Sequence, residues 1–561
     1  MRRLTAAVLV AAGLAVGAAH AAPEAHAAPE AQPAPLMTVL IKPGAMMAPA
    51  GGYVDVTVTV PGMDVAAGQP LFVLPTMAPN MPSPQPRTGM TVTDAEGAVP
   101  LLTGQAGDKP WTSSRRVHGE VVARYRLPID NARGSGPPVN LRIDGASFST
   151  PGRMLVAIPQ GGAAYRVAIR WDVSDMGPGA VGVTGYGDGD LELPAGPPGR
   201  LSSTMFAAGH FTREPAAAQG GFSALWGGEP PFDPRPLMQW TGRLHGWMSR
   251  FFGDEAEPPY RVILRSNPQN PGGGVAMTQS FAVGYGEGTD PEALKSILGH
   301  EMTHTWTAIE LLGKWWSEGN AVYYQELLPW RAGQITTEQY LAGVNRTAMR
   351  YYANTRKHTP EAEVLDQFWD DTRVRLMPYD RGALYFAVLN GKIRRASGGR
   401  RSVDDLVRTM MTRFRSGEAV TEAVWLDVLR AELGEAGPAT HRAMMSGRLV
   451  LPESDDYGPC FRRVVRKARV FEPGYDLRAA APDKVVRGLV AGSEADKAGL
   501  RDGDRIVAAP FGDAMQHDHA RIVTVKVTRG DQPLSFTYLP RGELVDVYQW
   551  ERTAVPEASC R

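Results

Sequence analysis

His300-Glu301-Met302-Thr303-His304 is followed, after 13 intervening residues, by the carboxylate of Trp315-Trp316-Ser317-Glu318-Gly319. Two imidazoles, a base and a further carboxylate at these spacings are the parts of a hydrolytic metal site. At 3.6 residues per turn, His300 and His304 stack on one helix face and Glu301 lies roughly 100° round from His300. Both imidazoles can then hold one Zn²⁺ while Glu301 reaches a water on the metal. Catalytic zinc takes three protein ligands, keeps one position open, and lowers the pKa of its water to about 7, so that a nearby carboxylate can take the proton. Glu318 is the expected third ligand. It lies on a second apolar, aromatic-rich helical stretch, Lys314 to Leu328, which can run back antiparallel after a break near Gly313. A chance His-Glu-x-x-His in a chain of this length has odds on the order of one in a hundred, so one zinc per chain is the reading.

The elements that must position these groups are legible around them. Asp290-Pro291-Glu292 reads as a helix start: Asp can cap free backbone N–H groups, Pro at the first helical position loses nothing, and an early Glu suits the positive end of the dipole. From Ala293 to Ala308 there is no proline and a single glycine, Gly299, so about four helical turns are expected. Tyr260 to Arg265 reads as a strand ahead of the glycine-rich run Pro271 to Ser280. Near the N-terminus, Tyr53 to Val60 alternates strictly, as does Tyr165 to Val173, with Pro and Gly turns between the runs, which is the pattern of half-buried strands. After Leu327 the pattern turns helical, with Leu406, Met410 and Phe414 on one face.

Taken together, these residues resemble the glycyl aminopeptidase family of gluzincin metallopeptidases, whose members carry HExxH, a W-x-S-E-G-type segment and often a C-terminal PDZ domain. Tyr379-Asp380-Arg381-Gly382-Ala383-Leu384 looks like the family's Y-x-K-G helix. Ile393 to Gly399 and Ser402-Val403-Asp404-Asp405-Leu406 look like the stretch that follows it. The resemblance runs from about residue 38 onward. It implies a multidomain α+β protein with a β-sandwich-like N-terminal domain, a thermolysin-like catalytic domain with a helical subdomain, and a C-terminal PDZ domain. It makes His300, His304 and Glu318 the zinc ligands, Glu301 the general base, and Tyr379 the donor to the oxyanion, where a fixed phenol can stabilise developing charge.

In two places the chain departs from the family: only 13 residues separate His304 from Glu318, tight for a helix, a turn and a return, and the family's glycine-rich strand usually ends in a glutamate that grips the substrate's free amine. Ala276 stands at that position, and an alanine cannot pair an ammonium. Gly273, Gly274, Val275 and Ala276 can still line an extended substrate as an added strand. The function expected is zinc-dependent peptide hydrolysis on peptide or protein substrates, aminopeptidase-like by resemblance, with Ala276 favouring relaxed exopeptidase or endopeptidase behaviour. The alternative is a catalytically idle envelope protein that binds peptides through its PDZ domain.

The expected organisation is a signal peptide over 1–21, a flexible Ala/Pro linker over 22–36, an N-terminal β domain over 37–173, the catalytic domain over 174–326, the helical subdomain over 327–454 and the PDZ domain over 455–561. Arg2-Arg3 before the apolar run Leu4 to Ala18, ending in Ala19-His20-Ala21, is a secretory pattern, implying export to a periplasm or beyond. No other segment is long and apolar enough to span a membrane. Cys460 and Cys560 are the only cysteines, and in an oxidising compartment a disulfide between them is expected. Gly474-Tyr475-Asp476-Leu477 reads as a PDZ carboxylate loop for a C-terminal peptide, by resemblance. Lys+Arg and Asp+Glu balance at 59 each, so no overall field recruits nucleic acid.

Overall fold

The computed structural model describes residues 34–556 and Cys560, apart from 45, 47–51, 75–76, 79–80, 83–88, 103–109, 130, 132–140, 217–220, 269–270 and 510. The expected signal peptide, and the linker as far as residue 33, lie outside the described residues. The fold is mixed α+β, with sheets in the N-terminal part and helices beyond.

The alternating run predicted near the N-terminus forms Tyr53–Val65, which buries Val54, Val56, Val58 and Val60 and leaves the intervening residues half-exposed. It pairs antiparallel with Leu36–Gly44 on one side and Val117–Pro128 on the other. Tyr165–Trp171 adds parallel to Leu36–Gly44. The boundary expected at residue 173 needs correction. Leu191–Gly196 pairs antiparallel with Tyr165–Trp171 and completes the seven-stranded sheet, and Leu193, Leu201, Phe206 and Ala208 belong to its core. Sheet membership at this edge is decided by a pairing across a loop, which alternation within one run does not reveal. Residues 174–209 therefore belong with the first β unit, and Val183, Met205 and Ala207 form a seam with Leu225, Ile263 and Ala282 of the next sheet.

That next sheet has five strands in the order Thr212–Glu214, Phe222–Trp226, Tyr260–Ser266, Ser280–Tyr285, Gly274–Met277. Its three central strands are parallel and buried on both faces, and Gly274–Met277 is the antiparallel edge. Three helices carry the predicted ligands, base and oxyanion donor: the His helix Pro291–Thr307, the Glu helix Lys314–Arg331 and the Tyr helix Met377–Ser397. One continuous apolar core joins this sheet to all three helices and to Val403–Arg415, Glu422–Leu433 and Ala436–Met445.

The last hundred residues divide differently from the expected 455–561 unit. Phe461–Phe471 and Arg541–Arg552 form a two-stranded ribbon whose Phe461, Ala468, Val547 and Trp550 belong to the core of the helical part. Asn345 locks the ribbon there, donating to the Trp550 carbonyl and accepting from its N–H. Between the two strands hangs a small module with its own core of Tyr475, Val486, Leu500, Val523, Val525, Val527 and Tyr538. Asp513 of this module accepts hydrogen bonds from Arg375 and Thr372, one turn before the Tyr helix. The Cys460–Cys560 disulfide closes the ribbon's outer end. No helix among the described residues is long and apolar enough to cross a membrane.

Candidate functional site

The Asp290 carboxylate accepts from the Glu292 N–H at 2.9 Å and starts the His helix. The helix ends at Thr307. A short 3-10 turn, Glu310–Leu312, and Gly313, whose positive φ of 82° suits glycine, reverse the chain into the Glu helix. Thirteen residues therefore suffice for the return. The Trp316 indole N–H donates to the Thr307 carbonyl at 2.8 Å and ties the end of one helix to the start of the next.

Glycine sets how closely these helices approach. A Cβ on Gly299 would meet the Gln325 carbonyl oxygen at 2.5 Å, so the His and Glu helices cross almost backbone to backbone. A Cβ on Gly319 would meet the Gly382 Cα at 2.7 Å, so the Glu and Tyr helices do the same. Gly319 directly follows Glu318, and Gly382 comes three residues after Tyr379. The close crossings bring all the predicted residues of the zinc helix, the return helix and the tyrosine to one place.

His300 Nε2 and His304 Nε2 each lie 3.4 Å from Glu318 Oε2, and one ligand atom from each of the three falls within 4.8 Å of the others. A tetrahedron with zinc–ligand bonds of about 2.0–2.1 Å has edges of about 3.3–3.4 Å, so two nitrogens and a carboxylate oxygen at this separation suit a metal ion of that size. The other ring nitrogens are held from behind. His300 Nδ1 faces Gln325 Oε1 at 3.2 Å and His304 Nδ1 faces Ser317 Oγ at 3.3 Å, which leaves both Nε2 atoms toward Glu318. Supports of this kind fix tautomer and ring orientation in metal sites. Gln325 and Ser317 were not singled out from sequence. Their signal was available, since Ser317 adjoins Glu318 and Gln325 follows it by seven residues, two turns along the same face.

Burial pushes the Glu301 carboxyl up to about 7, opposed by His300, reinforced by the Glu318 charge, and opposed again by the backbone amide of Ala276. Burial alone would also raise Glu318, yet hydrogen bonding to His300 and His304 holds it far below the usual carboxylate range. The two carboxylates are thus driven apart, one kept as an anion and one poised to gain and lose a proton. The Tyr379 ring stacks on His300 at 6.0 Å between centroids and 13° between planes. Burial and the charges of Glu318 and Glu301 drive its phenol well above the usual range, so it stays a hydrogen-bond donor.

Gly274–Met277 forms the wall of the site. Val275 and Met277 pack into the seam with Leu225 and Ile263, so Gly274 and Ala276 face the other way, as strand alternation requires. A Cβ at Gly274 would reach the Phe281 ring and Ile297 of the His helix. The strand's far edge pairs with no other strand among the described residues, and the Gly273 carbonyl is engaged by the Gly284 N–H. Gly474-Tyr475-Asp476-Leu477 lies apart, in the small module. The Gly474 N–H donates to Glu472 and the Asp476 N–H to the Arg487 carbonyl. Tyr475 is buried in the module's core, and Leu477–Ala480 is a short helix capped by Asp476 where a peptide-pairing strand would follow such a loop.

No protein-family model matches the chain, and no curated protein matches it. Among solved structures, an aminopeptidase N family protein from Idiomarina loihiensis superposes with a TM-score of 0.64 over 93% of this chain and 97% of that one, at 16% identity. That likeness shows a shared fold. An M1 zinc metallopeptidase from Deinococcus radiodurans (TM-score 0.45, 16% identity, 75% of this chain and 95% of that one) and native leukotriene A4 hydrolase from Saccharomyces cerevisiae (0.44, 12%, 73% and 66%) lie further off.

Proposed function

We propose that the protein is a zinc-dependent peptidase of the gluzincin kind, with His300, His304 and Glu318 as ligands. The observation that carries this is the pair of 3.4 Å imidazole–carboxylate separations beside a buried Glu301 poised near neutrality. Zinc held there supplies Lewis acidity, lowering the pKa of a water and polarising the substrate carbonyl. The chain does the rest. Glu301 takes the proton of the attacking water and returns it to the leaving amine, which a carboxyl with a pKa near the working pH does in both directions. Tyr379 donates to the oxygen on which charge develops. The free edge of Gly274–Met277 can hold an extended peptide as a further strand, with Gly274 and Ala276 toward the scissile bond.

Ala276 offers no carboxylate to a free α-amine, which supports cleavage that does not depend strictly on an N-terminus. The disulfide and the N-terminal apolar run support export, to a periplasm or to the outside. The Gly492 to Asp504 segment, which resembles the helix and turn of bacterial PDZ modules in order and spacing, supports a PDZ-like reading of the small module, and its carboxylate loop is the candidate site for a C-terminal peptide.

The test is to incubate zinc-loaded protein (residues 22–561) with free and N-acetylated peptides, beside Glu301→Gln, and to read products by mass spectrometry. Cleavage by the unaltered protein alone supports the proposal, with single-residue loss or internal cuts fixing its type. Cleavage by neither refutes it and leaves the catalytically idle, peptide-binding reading in its place.

A further inference from the structure

Beyond Glu318 the Glu helix reaches a cavity. Tyr323, five residues on and roughly 140° round the helix, and Arg331 at the helix end line a space of about 280 Å³. The Tyr helix supplies Asn390 and Arg394, and the loop after it Arg400 and Arg401. Four arginines line this space, and no carboxylate is among the described residues that line it.

Two of the four are neutralised from behind. Arg331 donates to Asp404 at 2.6 Å, and Arg401 to both oxygens of Glu432 at 2.9 and 3.0 Å. Arg394 and Arg400 have no side-chain hydrogen bond or ion pair among the described residues. Among the described lining residues, two guanidiniums therefore have no counter-charge. Asn390 is 6% exposed. Its amide nitrogen donates to the Asp456 carbonyl at 3.1 Å, while its Oδ1 is buried without a partner. A buried acceptor left unpaired is costly and points to a missing donor. The hydroxyls of Tyr323, Tyr340 and Tyr457, which also line the space, form no hydrogen bond among the described residues. Trp330 and Tyr340, stacked at 4.5 Å, give one flat apolar wall.

We propose that this cavity binds a small oxyanion that also carries a hydrogen-bond donor: hydrogen phosphate, free or as a monoester, or a hydroxycarboxylate. Arg394 and Arg400 take the anionic oxygens, since a planar guanidinium fork matches both phosphate and carboxylate. The phenols donate to the remaining oxygens, and Asn390 Oδ1 accepts from the ligand's O–H. A cation is excluded by the charge, and a purely apolar molecule would leave two guanidiniums, three phenols and an amide oxygen unsatisfied. The site stands independently of the peptidase reading.

Isothermal titration calorimetry on the full zinc-loaded chain tests it, with inorganic phosphate and malate as separate probes, against chloride at equal ionic strength. Saturable one-site binding of either probe is expected, and which one binds identifies the chemistry. Affinity should weaken about tenfold or more in Arg394→Gln/Arg400→Gln, because hydrogen bonds to charged groups are lost. Arg400→Glu, at an exposed position, should weaken it likewise, and its melting temperature reports that the fold is intact. Absence of saturable heat with both probes, or unchanged affinity in both variants, would overturn the proposal.

Discussion

As the proposed base, Glu301 would accept a proton and give it back, and its surroundings decide whether it can. Its replacement by glutamine keeps size and shape while removing the base. Turnover should fall on the order of a thousandfold, with zinc content by elemental analysis unchanged, because His300, His304 and Glu318 are untouched. Tyr379→Phe keeps the ring stacked on His300 and removes only the donor, so kcat should drop about a hundredfold or more with little change in KM. Ala276→Glu places a carboxylate on the face of the edge strand opposite Val275 and Met277. The rate ratio for free over N-acetylated peptides should then rise, and a ratio that stays put would remove Ala276 from the account of specificity. At this scale the histidines and Glu301 were readable because their relation is local, four residues on one helix. Tyr379 was reached only by resemblance, since nothing in residues 377–382 alone points toward residue 300.

The elements owe their spacing to glycines. Gly319→Ala puts a methyl group against the Gly382 backbone, so either helix must shift. A cost of about 1–3 kcal/mol is expected, as for other overpacked sites, together with a loss of turnover, since Glu318 and Tyr379 sit beside this crossing. Chemical denaturation and kinetics on the same preparation check both. A second helix junction predicts a pH effect. His441, between Ala436–Met445 and its neighbours, faces Glu422 at 2.8 Å and the Tyr385 hydroxyl at 3.2 Å, and burial holds its pKa below the usual 6.5 despite Glu422. The folded chain then binds fewer protons here than the unfolded one. Its contribution is full above about pH 6.5 and is lost as pH falls from there toward the folded pKa. Melting temperatures between pH 7.5 and 5.5 should fall less steeply in His441→Gln than in the unaltered protein. Helices around the site were legible through their caps and periodicity. The glycine crossings were not, because close approach is a property of two segments at once.

At the scale of the whole molecule, the disulfide closes a loop of about a hundred residues, for which chain-entropy arguments give about 4–5 kcal/mol. Cys460→Ser/Cys560→Ser should therefore unfold at lower denaturant, and reducing agent should leave its midpoint where it was while lowering that of the unaltered protein. The sequence suggested units ending at 173 and 454, whereas strand pairing across Leu191–Gly196 and along the ribbon drew the borders elsewhere. That ribbon has a consequence for how the chain is put together. The small module leaves after Phe471 and returns before Arg541, and these two residues are paired in register across neighbouring strands. Its entrance and exit are side by side, so the module is a graft on a hairpin, tied to the helices beneath through the Asp513 contacts to Thr372 and Arg375.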